Sequence, residues 1–108
     1  MFKYLQIAIG LWLSTVGTAG IATAYCPCKI CCGPKACGVT ASGHKIRPGD
    51  KFVAADKSIP FGTLITVPGY NNGKPVPVLD RGGAIKGDHY DVFFPTHKEA
   101  LKWGVRKF

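Results

Sequence analysis

Acidic residues are scarce in this chain: across 108 residues, six Asp and Glu face fourteen Lys and Arg, for a formal net charge of +8. Any acid–base chemistry therefore falls to very few carboxyl groups. Charge of either sign is missing altogether between Lys3 and Lys29, and cysteine is missing outside the segment Cys26–Cys37. Internal repeats, interdomain linkers and blocks of like charge are missing too. A chain this short holds one domain. Nucleic-acid binders gather their basic residues into a stripe or along a helix. Here they are scattered from Lys35 to Lys107, which argues against a nucleic-acid partner.

The uncharged stretch has the layout of a secretory leader. Lys3 precedes the apolar run Ile7–Val16 and small residues follow. Ala22-Thr23-Ala24 matches an A-x-A cleavage site, with Gly17-Thr18-Ala19 an earlier alternative. An uncleaved anchor is the competing assignment, because the stretch reaches the ~20 residues that span a bilayer. Residues 1–24 are accordingly assigned as a signal peptide or N-terminal anchor, and 25–108 as the folded domain. Both assignments export the domain, to the periplasm, cell envelope or medium; only the anchor gives it a membrane partner. The polyanion nearest an exported protein is the cell wall or an outer membrane surface, which scattered positive charge suits. A merely soluble basic surface accounts for that charge nearly as well.

A domain of about 84 residues buries a modest core and often needs a staple. The segment "CPCKICCGPKAC" supplies one in Cys26, Cys28, Cys31, Cys32 and Cys37. Export favours disulfides, yet five is an odd number. Cys28-x-x-Cys31 has a metal-ligand spacing, yet no second pair stands at a distance. We favour two local disulfides over a metal site and assign the cluster a structural role.

The remainder reads as short strands and turns. Phe52–Ala55 is a short apolar run, Thr63–Gly69 alternates as a strand does, and Asn72-Gly73 signals a hairpin. Val76–Asp80 follows, with Pro77 placing it at an edge or a bulge. After Gly82-Gly83 comes "HYDVFF", in which Tyr90, Val92 and Phe94 share one face and His89, Asp91 and Phe93 the other. One helix is expected, opened by a Thr96–Glu99 capping box, with Ala100, Leu101 and Trp103 as its apolar side and Gly104 as its C-terminal cap. Many short strands and one short helix describe a small closed β-barrel. If the apolar set of "HYDVFF" faces the core, Asp91 projects between an imidazole and an aromatic ring. Apolar neighbours and a second carboxylate both raise a carboxyl pKa, which suits a general acid. An ordinary exposed aspartate fits the pattern equally well.

"TAYC…GVTASG" (Thr23–Cys26, Gly38–Gly43), "VAADKSIPFGTLITV" (Val53–Val67) and "LDRGGAIKGDHYDVFF" (Leu79–Phe94) resemble, in order, the blocks of the three-aspartate or 3D domain. That domain is similar to the catalytic part of membrane-bound lytic transglycosylase A and, more remotely, to expansins. The resemblance maps the three aspartates onto Asp56, Asp80 and Asp91. It implies a mainly β fold, a six-stranded double-psi β-barrel with one short helix, whose groove binds the glycan strand of peptidoglycan. It further implies a lytic transglycosylase, acting as a monomer without a cofactor. In such enzymes the C6 hydroxyl of the muramic acid attacks its own anomeric carbon, so one residue both protonates the leaving oxygen and takes the hydroxyl proton. That role falls to Asp91, with Asp80 tuning it and Asp56 bracing the barrel. Thr40, Ser42, Lys86 and His89 are candidates, with Asp56, for glycan contacts. Three departures stand out: Arg81 where the family commonly has Thr, a very short last strand, and the cysteine cluster. The implied rival is a wall-binding module of the expansin kind, which binds glycan without cutting it.

Overall fold

A computed structural model of the chain describes residues 20–27 and 38–108, and the backbone pairing of residues 13–15. Cys28, Cys31, Cys32 and Cys37 lie outside the described residues, as does most of the leader. Seven short strands form one mixed sheet. They are β1 (Leu13–Thr15), β2 (Ile21–Tyr25), β3 (Val53–Ala54), β4 (Leu64–Thr66), β5 (Val76–Asp80), β6 (His89–Phe93) and β7 (Arg106–Lys107). Their order across the sheet is β1-β4-β5-β3-β6-β2-β7. From Ile21 onward the described residues form the expected small, mainly β, six-stranded barrel, seen as a half-barrel with, among those residues, one short α-helix, α1 (His97–Trp103). Its two parallel pairs, β2–β6 and β3–β5, are locked together by the antiparallel contact of β3 with β6. Each parallel pair requires a crossover connection, because a tight hairpin can join only antiparallel neighbours.

The alternation read in "HYDVFF" holds, and both faces are used. Tyr90 and Val92 enter the larger core cluster with Ala22, Val53, Val78 and Trp103. Phe93 faces the other way into a smaller cluster of Tyr25, Phe52, Ala54 and Ile85. There Phe93 stacks on Phe52 with centroids 4.6 Å apart, and the Tyr25 ring meets both edge-on. The clusters are tied together by Tyr70, whose buried hydroxyl donates to the Phe93 carbonyl at 2.6 Å and accepts from the Phe52 amide at 3.3 Å.

Three details differ from the sequence reading. Asn71–Gly73 form a 3-10 turn with positive φ at all three residues, inside a longer β4–β5 connection, instead of a two-residue hairpin turn. Strand β5 is interior, between β4 and β3, so Pro77 marks no edge; the bulge lies two residues further on. In α1, Thr96 caps the helix by accepting from the Glu99 amide, but the Glu99 carboxylate accepts a hydrogen bond from the Thr96 hydroxyl instead of reaching the backbone. Ala100 and Trp103 are buried, and the Trp103 indole N–H donates to the Ala22 carbonyl at 3.1 Å. Leu101 is 68% exposed and takes no part in the core, because a neighbour of Ala100 lies about 100° around the helix.

Candidate functional site

The site grows out of one register. Ala54 of β3 pairs with Asp91 of β6 on one side and with Asp80 of β5 on the other. Strict alternation would send Asp80 after Val76 and Val78 into the larger cluster. A bulge prevents this: Val53 pairs with Val78 but Ala54 with Asp80, so Leu79 is an extra residue on β5. Inserting one residue reverses the alternation and re-aims the next side chain. Asp80 thereby joins the face of Tyr25 and Asp91. Its Oδ2 accepts from the Tyr25 hydroxyl at 2.7 Å, and its Oδ1 accepts from the Ala41 and Arg81 amides, each at 2.9 Å. Three donors on two oxygens fix the carboxylate in place.

Asp91 is held differently. Thr23, its register partner on β2, donates its hydroxyl to Asp91 Oδ1 at 2.9 Å, and Thr23 Oγ1 itself lies 2.8 Å from His89 Nε2. With its hydrogen directed at Asp91, the Thr23 oxygen can accept from His89 in the tautomer that carries the ring hydrogen on Nε2. Burial pushes the Asp91 carboxyl up to about 6; the Thr23 hydrogen bond and the charge of His89 pull it down, and the negative charge of Asp80 adds a smaller push upward. Desolvation disfavours the charged carboxylate, so burial, more than the second carboxylate, governs this group.

The other sequence-derived candidates divide. Asp56 accepts from the Gly87 amide at 2.6 Å and the Ser58 amide at 2.8 Å, clamping the loop between β5 and β6. Those two bonds hold its carboxyl below the usual range. Thr40 is buried, and its hydroxyl is spent inside its own loop, accepting from the His44 amide at 3.1 Å and lying 3.0 Å from Ser42 Oγ. Ser42 is exposed, and its amide donates to the Leu79 carbonyl, which seats the Thr40–Ser42 loop against the bulge. Lys86 is exposed and His89 half-buried. Asp56, Lys57, Arg81, Gly82, Gly83, Ile85 and Lys86 line a surface cavity of about 490 Å³ beside the pair. A side chain at Gly82 would meet Ile85 at 2.8 Å, so the loop closes over Ile85 only because Gly82 has none. Cys26 is fully buried, with Sγ 3.6 Å from His97 Nδ1. Among the described residues no three His, Cys, Asp or Glu side chains gather as a metal site, and no helix is long and apolar enough to cross a membrane.

Sequence reasoning assigned no role to Thr23 and Tyr25, the two side chains that reach the aspartates. They stand two apart in "TAYC", the spacing that puts strand residues on one face, but Thr23 falls within the stretch assigned to the leader.

Curated relatives share parts of this chain. It is 42% identical over 72 residues to a cell wall-binding protein, YocH, of Bacillus subtilis, covering 64% of this chain and 24% of that protein. It is 41% identical over 84 residues to a putative cell wall shaping protein, YabE, of the same organism, covering 76% and 19%. With the probable endolytic peptidoglycan transglycosylase RlpA of Aquifex aeolicus the identity is 37% over 62 residues, covering 56% and 27%. The chain thus spans about a quarter or less of the length of the first two. Residues 51–108 match the 3D domain. That match takes in Asp56, Asp80 and Asp91 and more than half of the sequence: the chain belongs to the 3D-domain family.

Proposed function

We propose that this protein is an exported peptidoglycan lytic transglycosylase, cutting the MurNAc–GlcNAc β-1,4 bond and closing a 1,6-anhydro ring. The observation that carries the reading is Asp91: a carboxyl pushed up to about 6 by burial, on a face shared with Asp80 across Ala54. Such a group holds a proton in mildly acidic conditions and can give it up, as a general acid must. Asp91 protonates the departing glycosidic oxygen as the C1–O bond breaks. The resulting carboxylate takes the proton of the C6 hydroxyl as that oxygen bonds to C1. No water is consumed, and Asp91 ends protonated as it began. Asp80, fixed by Tyr25 and two amides, orients the sugar. Relatives named for cell wall binding, cell wall shaping and peptidoglycan transglycosylation support the substrate class.

Mass spectrometry of soluble muropeptides after incubation with purified peptidoglycan tests the reaction. Products ending in 1,6-anhydromuramic acid are expected; ends one water heavier would mean hydrolysis. A second reading, a wall-binding module without turnover, is favoured by the relative named only for binding; retention on sedimented wall with no released product would establish it.

Where a leader is removed, we place the cut after Ala19. Cutting after Ala24 would take Ile21–Ala24 out of the sheet, and with them Thr23, the donor to Asp91. Cutting after Ala19 leaves β2 whole, with the Gly20 carbonyl still accepting from Phe108. N-terminal sequencing of the secreted protein distinguishes Gly20 from Tyr25 as first residue.

A further inference from the structure

The cavity beside Arg81 has a predominantly basic lining, and the mechanism above makes no use of it. Its charged lining is Lys57, Arg81 and Lys86 against the single carboxylate of Asp56, a surplus of two positive charges. Asp56 is already engaged by two backbone amides. All six acidic side chains of the chain lie among the described residues, and there the one carboxylate within 4 Å of a cationic side chain is Asp50, beside His44. None of the three cations of the cavity therefore has a carboxylate within 4 Å, although Asp56 and Asp80 act on Arg81, and Asp56 on Lys57, at longer range.

Arg81 is the organised member. Its guanidinium lies 4.0 Å over the Phe61 ring, and it donates to the Ile59 and Asp80 carbonyls. Two of the five N–H donors that a guanidinium carries are thus spent in fixing its plane, and three remain. A planar fork with spare donors matches a carboxylate in bidentate geometry. Lys57 and Lys86 are exposed and add charge without fixed geometry.

We propose that this cavity is a subsite for a carboxylate carried by the peptide stem of the wall strand, with Arg81 as its anchor. The inference rests on the wall-glycan reading above. The stem favours a carboxylate over the phosphodiester of a separate wall polymer, because the stem is attached to the same muramic acid that the aspartates address. Arg81 directly follows Asp80, and the cavity's last lining residue, Lys86, stands three before His89. A substituent of a sugar held at the pair lies within reach of that loop.

The test is co-sedimentation of the whole protein with three preparations: intact wall, wall stripped of teichoic polymers, and glycan strands freed of stems by amidase, with the lactyl carboxylates that amidase exposes capped as methylamides. Wild type is expected to bind stem-bearing strands roughly tenfold more tightly than stem-free ones, one charge-assisted contact being worth that much. The ratio should fall towards one in Arg81→Gln. It should also fall in Lys57→Gln/Lys86→Gln, whose exposed positions leave folding undisturbed, with thermal melting as the check. A wild-type ratio near one, or an unchanged ratio in both variants, overturns the subsite while leaving the wall reading intact. A preference that disappears with the teichoic polymers instead of the stems overturns the carboxylate assignment. Failure of wild type to sediment with any of the three overturns the wall reading itself.

Discussion

Neighbouring residues of β6 live in opposite surroundings. Val92 is fully buried in the larger cluster, among Val53, Val78, Tyr90 and Trp103. Asp91, next to it, faces a smaller cluster that is aromatic at the Phe93 end and polar at the His89 end. The first face is filled as a core is filled, so its side chains contribute to stability and to nothing else. The second spends part of the domain's stability on keeping a carboxyl group out of water. A fold that buries a titratable group without an ion pair sets its pKa by desolvation, and the same desolvation makes the group a local weakness.

The largest effect expected is on turnover. An amide at position 91 cannot protonate the leaving oxygen or accept the hydroxyl proton, and each such transfer is worth ~10²–10⁴-fold. Asp91→Asn should therefore release no measurable anhydromuropeptide, while Val92→Ala should retain turnover at temperatures where it stays folded. Full activity in Asp91→Asn would end the assignment.

Stability should move the other way. Folded Asp91 keeps its proton up to about 6, whereas the unfolded side chain releases it near 3.8. Between those values the folded state binds more protons, so stability falls as pH rises through the window and stays low above it. The cost at neutral pH is on the order of 3 kcal/mol. Asn keeps an oxygen for the Thr23 hydroxyl and cannot ionise, so Asp91→Asn should be more stable than wild type at pH 7 and level with it near pH 4. Val92→Ala should lose about 2 kcal/mol at both pH values, two buried methyl groups being removed from a packed cluster. Denaturant melts of both variants at the two pH values decide this; a destabilised Asp91→Asn at pH 7 would mean that the carboxylate is stabilising where it sits.

How far the sequence announces this arrangement depends on how local each signal is. The alternation of "HYDVFF" is contained in one strand and reads correctly, as does the Thr96 cap, which acts over three residues. The apolar side of α1 is legible for Ala100 and Trp103 but not for Leu101, since a two-turn helix offers too few positions to define its buried stripe. The pairing of Asp80 with Asp91 comes from family resemblance, because the bulge at Leu79 that re-aims Asp80 leaves no mark in periodicity. Tyr25 and Asp80 are 55 residues apart, and Thr23 and Asp91 are 68 apart. No window of sequence spans such contacts. Thr23 is further hidden because small residues before a cleavage motif and small residues in a buried strand look alike. Thr40, a hydroxyl in a family block, reads as a ligand contact; the structure turns it inward because a backbone amide in its own loop needs an acceptor.

The smallest expected effects separate the two influences that share Asp91, and they carry opposite signs. A hydrogen bond donated to a carboxylate favours its charged form, so losing it raises the pKa. Thr23→Val removes the donor to Oδ1 and should move the fall of activity at high pH to higher pH. Asp80→Asn removes a negative charge that pushes Asp91 upward, and should move the same limb to lower pH. The Asn oxygen can still accept from the Ala41 and Arg81 amides, so the loop stays seated. Because the charge of Asp80 is the weakest of the four influences on Asp91, its shift should be smaller than that of Thr23→Val. The double variant should lie between the two. The pH–rate profile reads these shifts, and the ¹³C resonance of the Asp91 carboxyl reads them without any need for turnover. A larger shift from Asp80→Asn than from Thr23→Val would mean that the charge of Asp80 outweighs the opposing Thr23 bond in setting the Asp91 pKa. A limb that neither variant moves would belong to another group in the site.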